Sequence, residues 1–163
     1  LYLGQNKGIL CIHGGGVYGD EKKTMKRWMK RFIQLPKCAR SRICLENCEK
    51  CYSSEDCLYL AESLNIPHIF DIHHYACYNK LHKNKTQKPI TELLPRILAT
   101  WHNRNLKPYF HISEQGSGKI GHHSDYVSSL PSYILKTTHH LTIDIEAKAK
   151  EQAVLLLSRK YNL

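Results

Sequence analysis

Five times along this chain a short apolar run breaks off at a polar side chain and gives way to a stretch with helical spacing. That alternation constrains the fold more than anything else in the sequence. The strand-like runs are Gly8 to His13, Arg42 to Glu46, Ile66 to Ile72, Pro108 to Ser113 and Leu141 to Ala147. A helix from about Asp20 follows the first, with Met25, Trp28, Met29 and Phe32 on one face until Leu35-Pro36 ends it. The second is followed by a helix opened by the cap signal Ser53-Ser54-Glu55-Asp56. After the third, a long polar loop precedes a helix bearing Leu93, Leu94, Ile97, Leu98 and Trp101, with Pro95 in its first turns. Beyond the fourth, Gly116-Ser117-Gly118 leads to a short helical region interrupted by Pro131, and the fifth runs into an amphipathic helix from Lys148 to Tyr161. Strict alternation implies parallel strands joined by right-handed crossovers. The expected fold is α/β and TIM-barrel-like, with about five βα units of a (β/α)8 barrel in a single domain, 1–163. A closed barrel needs eight units and about 250 residues. With Leu1 in place of a methionine, the chain reads as a piece lacking about three N-terminal units, a missing N-terminal barrel half.

Parallel barrels place their chemistry at the strand ends of one rim. Metal-binding side chains fall at those ends here, in Cys11-Ile12-His13, Cys44-Leu45-Glu46, Asp71-Ile72-His73-His74, Phe110-His111, His122-His123 and Asp144-Ile145-Glu146. A lone strand-end histidine is usually a hydrogen-bonded structural residue and a lone glutamate usually lies on a solvated rim. Six such positions on successive units are improbable by chance. Buried carboxylates require cations or donors beside them, and mixed carboxylate and imidazole shells suit manganese, magnesium or zinc.

Composition narrows the partner. Twenty-four Lys and Arg against 14 Asp and Glu give a formal charge of +10, which favours a polyanion. Seven cysteines form an odd set without a regular framework, and the expectation is a reducing, intracellular setting with nucleus and cytoplasm undistinguished. Cys48 and Cys51 have CxxC spacing but no second pair for a zinc knuckle. Neither a signal peptide nor an apolar run of membrane-spanning length is present, so no membrane partner is expected.

The segments His13-Gly14-Gly15-Gly16-Val17-Tyr18-Gly19-Asp20, Leu45-Glu46-Asn47, Phe70-Asp71-Ile72-His73-His74, Phe110-His111-Ile112-Ser113-Glu114, His123-Ser124-Asp125 and Ile145-Glu146-Ala147-Lys148-Ala149-Lys150-Glu151 together resemble the UV damage endonucleases. They look like the C-terminal portion of that family's barrel. The resemblance implies a DNA repair enzyme that incises damaged double-stranded DNA immediately 5′ to a photoproduct. It further implies that His13, Glu46, Asp71, His74, His111, His123 and Glu146 bind a cluster of two or three divalent ions, with manganese first and zinc or magnesium as alternatives. Glu46 and Glu146 are the catalytic candidates that bridge or anchor it, and His73 and His122 are expected to serve around it. For DNA, the candidates are Tyr18 and Tyr75 as stacking groups and Lys80, Lys83 and Lys85, in the basic stretch Lys80 to Lys85, as phosphate contacts.

Two positions depart from the family pattern. Tyr109 stands where the family carries a metal-holding lysine, and Lys107, on the same face, sits about 7 Å further from His111 at about 3.3 Å per residue. Cys48 occupies a position the family tends to give to an acid. Three other readings stay open: an abasic-site endonuclease of the endonuclease IV type, a metal-dependent sugar isomerase, and a non-catalytic DNA-binding remnant.

Overall fold

The computed structural model describes residues 8–137 and 140–163; Leu1, on which the expectation of a missing N-terminal portion partly rests, lies outside them. In chain order the elements are β1 (Leu10–His13), α1 (Glu21–Gln34), α2 (Lys37–Arg40), β2 (Ile43–Glu46), α3 (Ser54–Leu64), β3 (His68–Asp71), α4 (Ile72–Leu81), α5 (Ile90–His102), β4 (Tyr109–Ile112), α6 (Ser132–Leu135), β5 (Thr142–Ile145) and α7 (Glu151–Tyr161). The five strands form one parallel sheet in the order β1-β2-β3-β4-β5. Every strand lies within the apolar run expected to contain it. Sequential parallel order with helical crossovers is the arrangement of a TIM-type barrel, of which the described residues form five strands with no pairing between β1 and β5.

Local chemistry sets the helix ends. The Asp20 carboxylate accepts the Lys23 N–H at 2.9 Å and starts α1. Ser53 and Asp56 form the reciprocal capping box that opens α3, and Asn65 closes it in the left-handed conformation at φ 52°.

Three expectations change. The residues after β3 are not a long polar loop: they form α4, capped by Asp71 Oδ1, which accepts the His74 N–H at 2.7 Å. Its buried face is His73, His74, Cys77 and Tyr78, so the helix carries no aliphatic stripe for periodicity to reveal. Pro131 precedes α6 as its N-cap and does not interrupt a helix. At the C-terminal end, α7 starts at Glu151 because residues 148–150 form a turn ending on Lys150 at φ 49°.

The sheet is packed on two sides. Outward, Ile43 and Leu45 meet Met25, Phe32 and Leu60, while Phe70 and Phe110 meet Leu58, Leu93 and Ile97. Fully burying one such Leu stabilises the fold by about 1.5–3 kcal/mol. Inward, Cys44, Ile69 and Trp101, joined by Ile9, Leu106 and Tyr109, form a smaller apolar cluster. It makes a floor one residue pair below the polar strand ends.

Candidate metal centre

Parallel strands bring all five carboxyl ends to one rim. The register pairs Cys11 with Cys44, His13 with Glu46, Glu46 with Ile69, Asp71 with His111 and His111 with Asp144. Because side chains alternate along a strand, these residues share the inward face. The outward partners Leu45, Phe70 and Phe110 anchor the strands from behind.

Glu46, only 3% exposed, is the hub. Its Oε1 receives His111 Nδ1 at 3.0 Å and lies 3.4 Å from His74 Nδ1. Oε2 lies 3.1 Å from His13 Nε2 and accepts from Cys11 Sγ at 2.9 Å. Burial works against the charged carboxylate, but the hydrogen bonds from His111, His13, His74 and Cys11 prevail and hold its carboxyl far below the usual range. In return, His13 is pushed up to about 10 by hydrogen bonds to Cys48 and Glu46, against the effect of its burial. His74 rises to about 9, with the Glu46 hydrogen bond and the Asp71 and Glu46 charges outweighing burial.

Asp71 is fully buried. Asn47 clasps it to β2: Asn47 Nδ2 donates to the Asp71 carbonyl at 2.9 Å, and the Asp71 N–H donates to Asn47 Oδ1 at 3.0 Å. Asp71 Oδ1 is engaged by the α4 cap, whereas Oδ2 is buried with no hydrogen-bond partner and has His74 Nδ1 at 3.4 Å. Burial pushes this carboxyl up to about 7. An unpartnered buried carboxylate oxygen is costly, and a cation beside it would satisfy it.

Glu146 follows β5, its N–H donating to the Ile112 carbonyl at 3.0 Å. Its Oε1 is 3.4 Å from His111 Nδ1 and its Oε2 is 3.9 Å from His123 Nε2. His123 is held by an antiparallel bridge to Gln115, flanked by hydrogen bonds from the Gly116 N–H to the His122 carbonyl and from the Ser124 N–H to the Glu114 carbonyl. Gly116 is required there, since a Cβ would lie 2.3 Å from the His123 carbonyl oxygen.

Three groups have donor atoms within 4.8 Å of one another: Cys11, Glu46 and His111; His13, Glu46 and His74; and Asp71, His111 and Glu146. Glu46 belongs to two groups and His111 to two. Six of the seven residues expected as ligands fall in these groups, joined by Cys11, and the seventh, His123, lies beside Glu146 at the margin of the rim. His73 packs its ring edge-to-face at 5.6 Å on His123 and neighbours Cys77. Burial and the adjacent imidazoles depress it to about 4. His122 is exposed.

Two participants were not singled out from the sequence. Cys11 looked like one of an irregular set of thiols, and Asn47 appeared only within a motif. The inward parity of position 11 relative to His13 was the available signal for the first.

The residues expected to touch DNA are more dispersed. Tyr18 is 81% exposed, with Arg27 over its ring at 5.3 Å. Tyr75 rests on Phe70 and donates its hydroxyl to the Lys88 carbonyl at 2.9 Å. Lys80 lies on α4, not in a loop, and it and Lys83 are exposed. Lys85 is tied to Glu21 at 2.6 Å and to the Tyr78 hydroxyl at 3.3 Å. Tyr109 donates its hydroxyl to Asp144 Oδ2 at 3.2 Å.

Fold and rim together define a partial α/β barrel with a histidine and carboxylate centre at the carboxyl ends of its strands. The family described as UV-endonuclease UvdE matches residues 2–163, and the chain belongs to that family. A protein of Acanthamoeba polyphaga mimivirus that bears a UV-damage endonuclease name is 39% identical over 98% of this chain and 48% of its own length. The UV DNA damage endonuclease of Bacillus velezensis is 35% identical over 93% of this chain and 48% of its own. The crystal structure of SacUVDE superposes with a TM-score of 0.80 at 24% identity, covering 95% of this chain and 51% of that one, and shows the same fold. The chain thus spans about half the length of the curated relatives it matches.

Proposed function

We propose that this chain supplies the metal-binding rim of a DNA repair endonuclease that incises the phosphodiester 5′ to UV photoproducts. What carries this reading is the sharing of Glu46 and His111 among three donor groups within one rim, in a member of the UvdE family. His13, Glu46, Asp71, His74, His111, His123 and Glu146 would hold two or three divalent ions, with manganese first and zinc or magnesium as alternatives. The unpartnered Asp71 Oδ2 and the mixed oxygen and nitrogen donors fit such a cluster.

When bound, such a cluster supplies activated water with a pKa of roughly 7 and neutralises charge building on the phosphoryl oxygens. Glu46 anchors the assembly by holding donors from β1, β4 and α4 on a single carboxylate. Glu146, half-buried at the rim, faces His111 and His123 and would anchor the margin of the cluster. Asn47 keeps Asp71 aimed inward. Tyr18 offers an exposed face on which a displaced base can stack. Exposed Lys80 and Lys83 would take backbone phosphates and fix register without reading sequence. The odd cysteine count supports a reducing, intracellular setting as part of the same reading.

The test is nicking of UV-irradiated duplex plasmid with manganese, by this chain alone and together with the part of a relative that the chain does not span. Glu46→Gln and Glu146→Gln should each abolish nicking while far-ultraviolet circular dichroism stays native. Full incision by either variant would remove the metal centre from the reaction. Cutting confined to abasic sites would reassign the chain to the endonuclease IV type of activity.

A further inference from the structure

Cys11 is on β1, two residues before His13 and on the same inward face, paired in register with Cys44. Its Sγ is 2.9 Å from Glu46 Oε2. Sulfur, the Glu46 carboxylate and a His111 ring nitrogen all lie within 4.8 Å of one another, on three different strands. Neither Cys11 nor any other thiol belongs to the ligand set expected from the sequence. On the far side of this group, Asp71 Oδ2 is buried and unpartnered, and Asp71 joins His111 and Glu146 in the neighbouring donor group. The two groups meet at His111.

We infer that Cys11 is a metal ligand, giving one position of the centre a Cys11, Glu46 and His111 donor set that takes a thiophilic divalent ion of the zinc or cobalt class. This rests on the metal-centre reading above and sharpens it, because thiolate selects zinc over manganese or magnesium while all-oxygen shells do the reverse. Three protein donors of S, O and N type with a fourth position left for water match the pattern of catalytic zinc sites. Binding converts the thiol to a thiolate, and the displaced proton leaves to solvent. The other groups, built only from carboxylate and imidazole, have no such preference. A centre of mixed metal content follows.

The experiment starts from the full chain stripped with chelator and titrated with cobalt(II). The expected spectrum has visible ligand-field bands together with a near-ultraviolet sulfur-to-cobalt charge-transfer band. Cys11→Ser should lose the charge-transfer band and keep the ligand-field bands, while Cys48→Ser, which alters the thiol beside His13, should keep both. Bound cobalt without a charge-transfer band, or a band that survives Cys11→Ser, overturns the assignment and leaves the histidine and carboxylate centre standing. Failure to bind cobalt at all sinks both. On the unaltered protein, zinc should slow alkylation of Cys11 by about tenfold relative to Cys38, read by mass spectrometry at each site. Cys38, exposed on α2, is the internal control. Equal rates with and without zinc would also overturn it.

Discussion

Glu46 and Glu146 are both strand-end carboxylates facing histidines, but they sit in different parts of the sheet. Glu46 ends β2, whose four residues are all buried, and its side chain is enclosed by donors from β1, β4 and α4. Glu146 follows the edge strand β5, and its side chain remains 30% exposed beside an equally exposed His123. The same division runs through the strands: β2 and β3 are buried throughout, whereas β1 is exposed at Leu10, Cys11 and His13. A middle strand is packed by neighbours on both sides and helices behind. An edge strand has one neighbour, so its side chains are held by fewer contacts.

Metal affinity is the strongest way to break this contrast. Calorimetric titration with manganese should find that Glu46→Gln weakens binding beyond the roughly 10–100-fold cost of losing an outer partner, with Glu146→Gln inside that range. Equal losses would show that both ends of the sheet hold the centre alike. Stability comes next. Leu45→Ala on β2, at a fully buried site, should cost about 2–5 kcal/mol in urea unfolding. Leu10→Ala on β1, at a residue 53% exposed, should stay within about 0.5 kcal/mol. Comparable values for the two would mean that β1 is covered in solution.

A third measurement sharpens the picture for β3. His68 is fully buried, its ring engaged by the Leu45 carbonyl and the Ser54 hydroxyl, each at 2.9 Å. Burial depresses it to about 4, from 6.5. The unfolded chain therefore binds its proton at higher pH than the folded one, so this residue's contribution is intact above 6.5 and lost as pH falls toward 4. The loss amounts to roughly 3 kcal/mol. Urea unfolding of the wild type and His68→Gln across that window should show a shallower pH dependence for the variant, and parallel curves would remove the assignment. The smallest effect concerns DNA. Lys83→Ala should reduce the salt slope of binding by about 1, while Lys85→Ala, whose amine already serves Glu21, should change it less.

Much of this was legible in the residues because strand and helix periods differ so plainly. Each apolar run contained its strand, the Asp20 and Ser53 caps opened the helices expected there, and His13, Glu46, Asp71 and His111 were recognisable as polar residues ending those runs. The helix α4 escaped notice because histidine, cysteine and tyrosine make its buried face, and that face packs at the centre, not in an aliphatic layer. Lys80, expected in a loop, belongs to this helix, and Lys85 pairs with Glu21.

The sequence by itself determined the alternating βα order and which residue types stand at the strand ends, since both are written in local spacing. Only the tertiary structure decided that one carboxylate, Glu46, gathers His13, His74, His111 and Cys11. It also decided that Asp71 keeps a bare oxygen and that Asn47 locks β2 to β3. Those relations join residues far apart in the chain, and they are set by strand register and helix packing. No window of neighbouring residues contains that geometry.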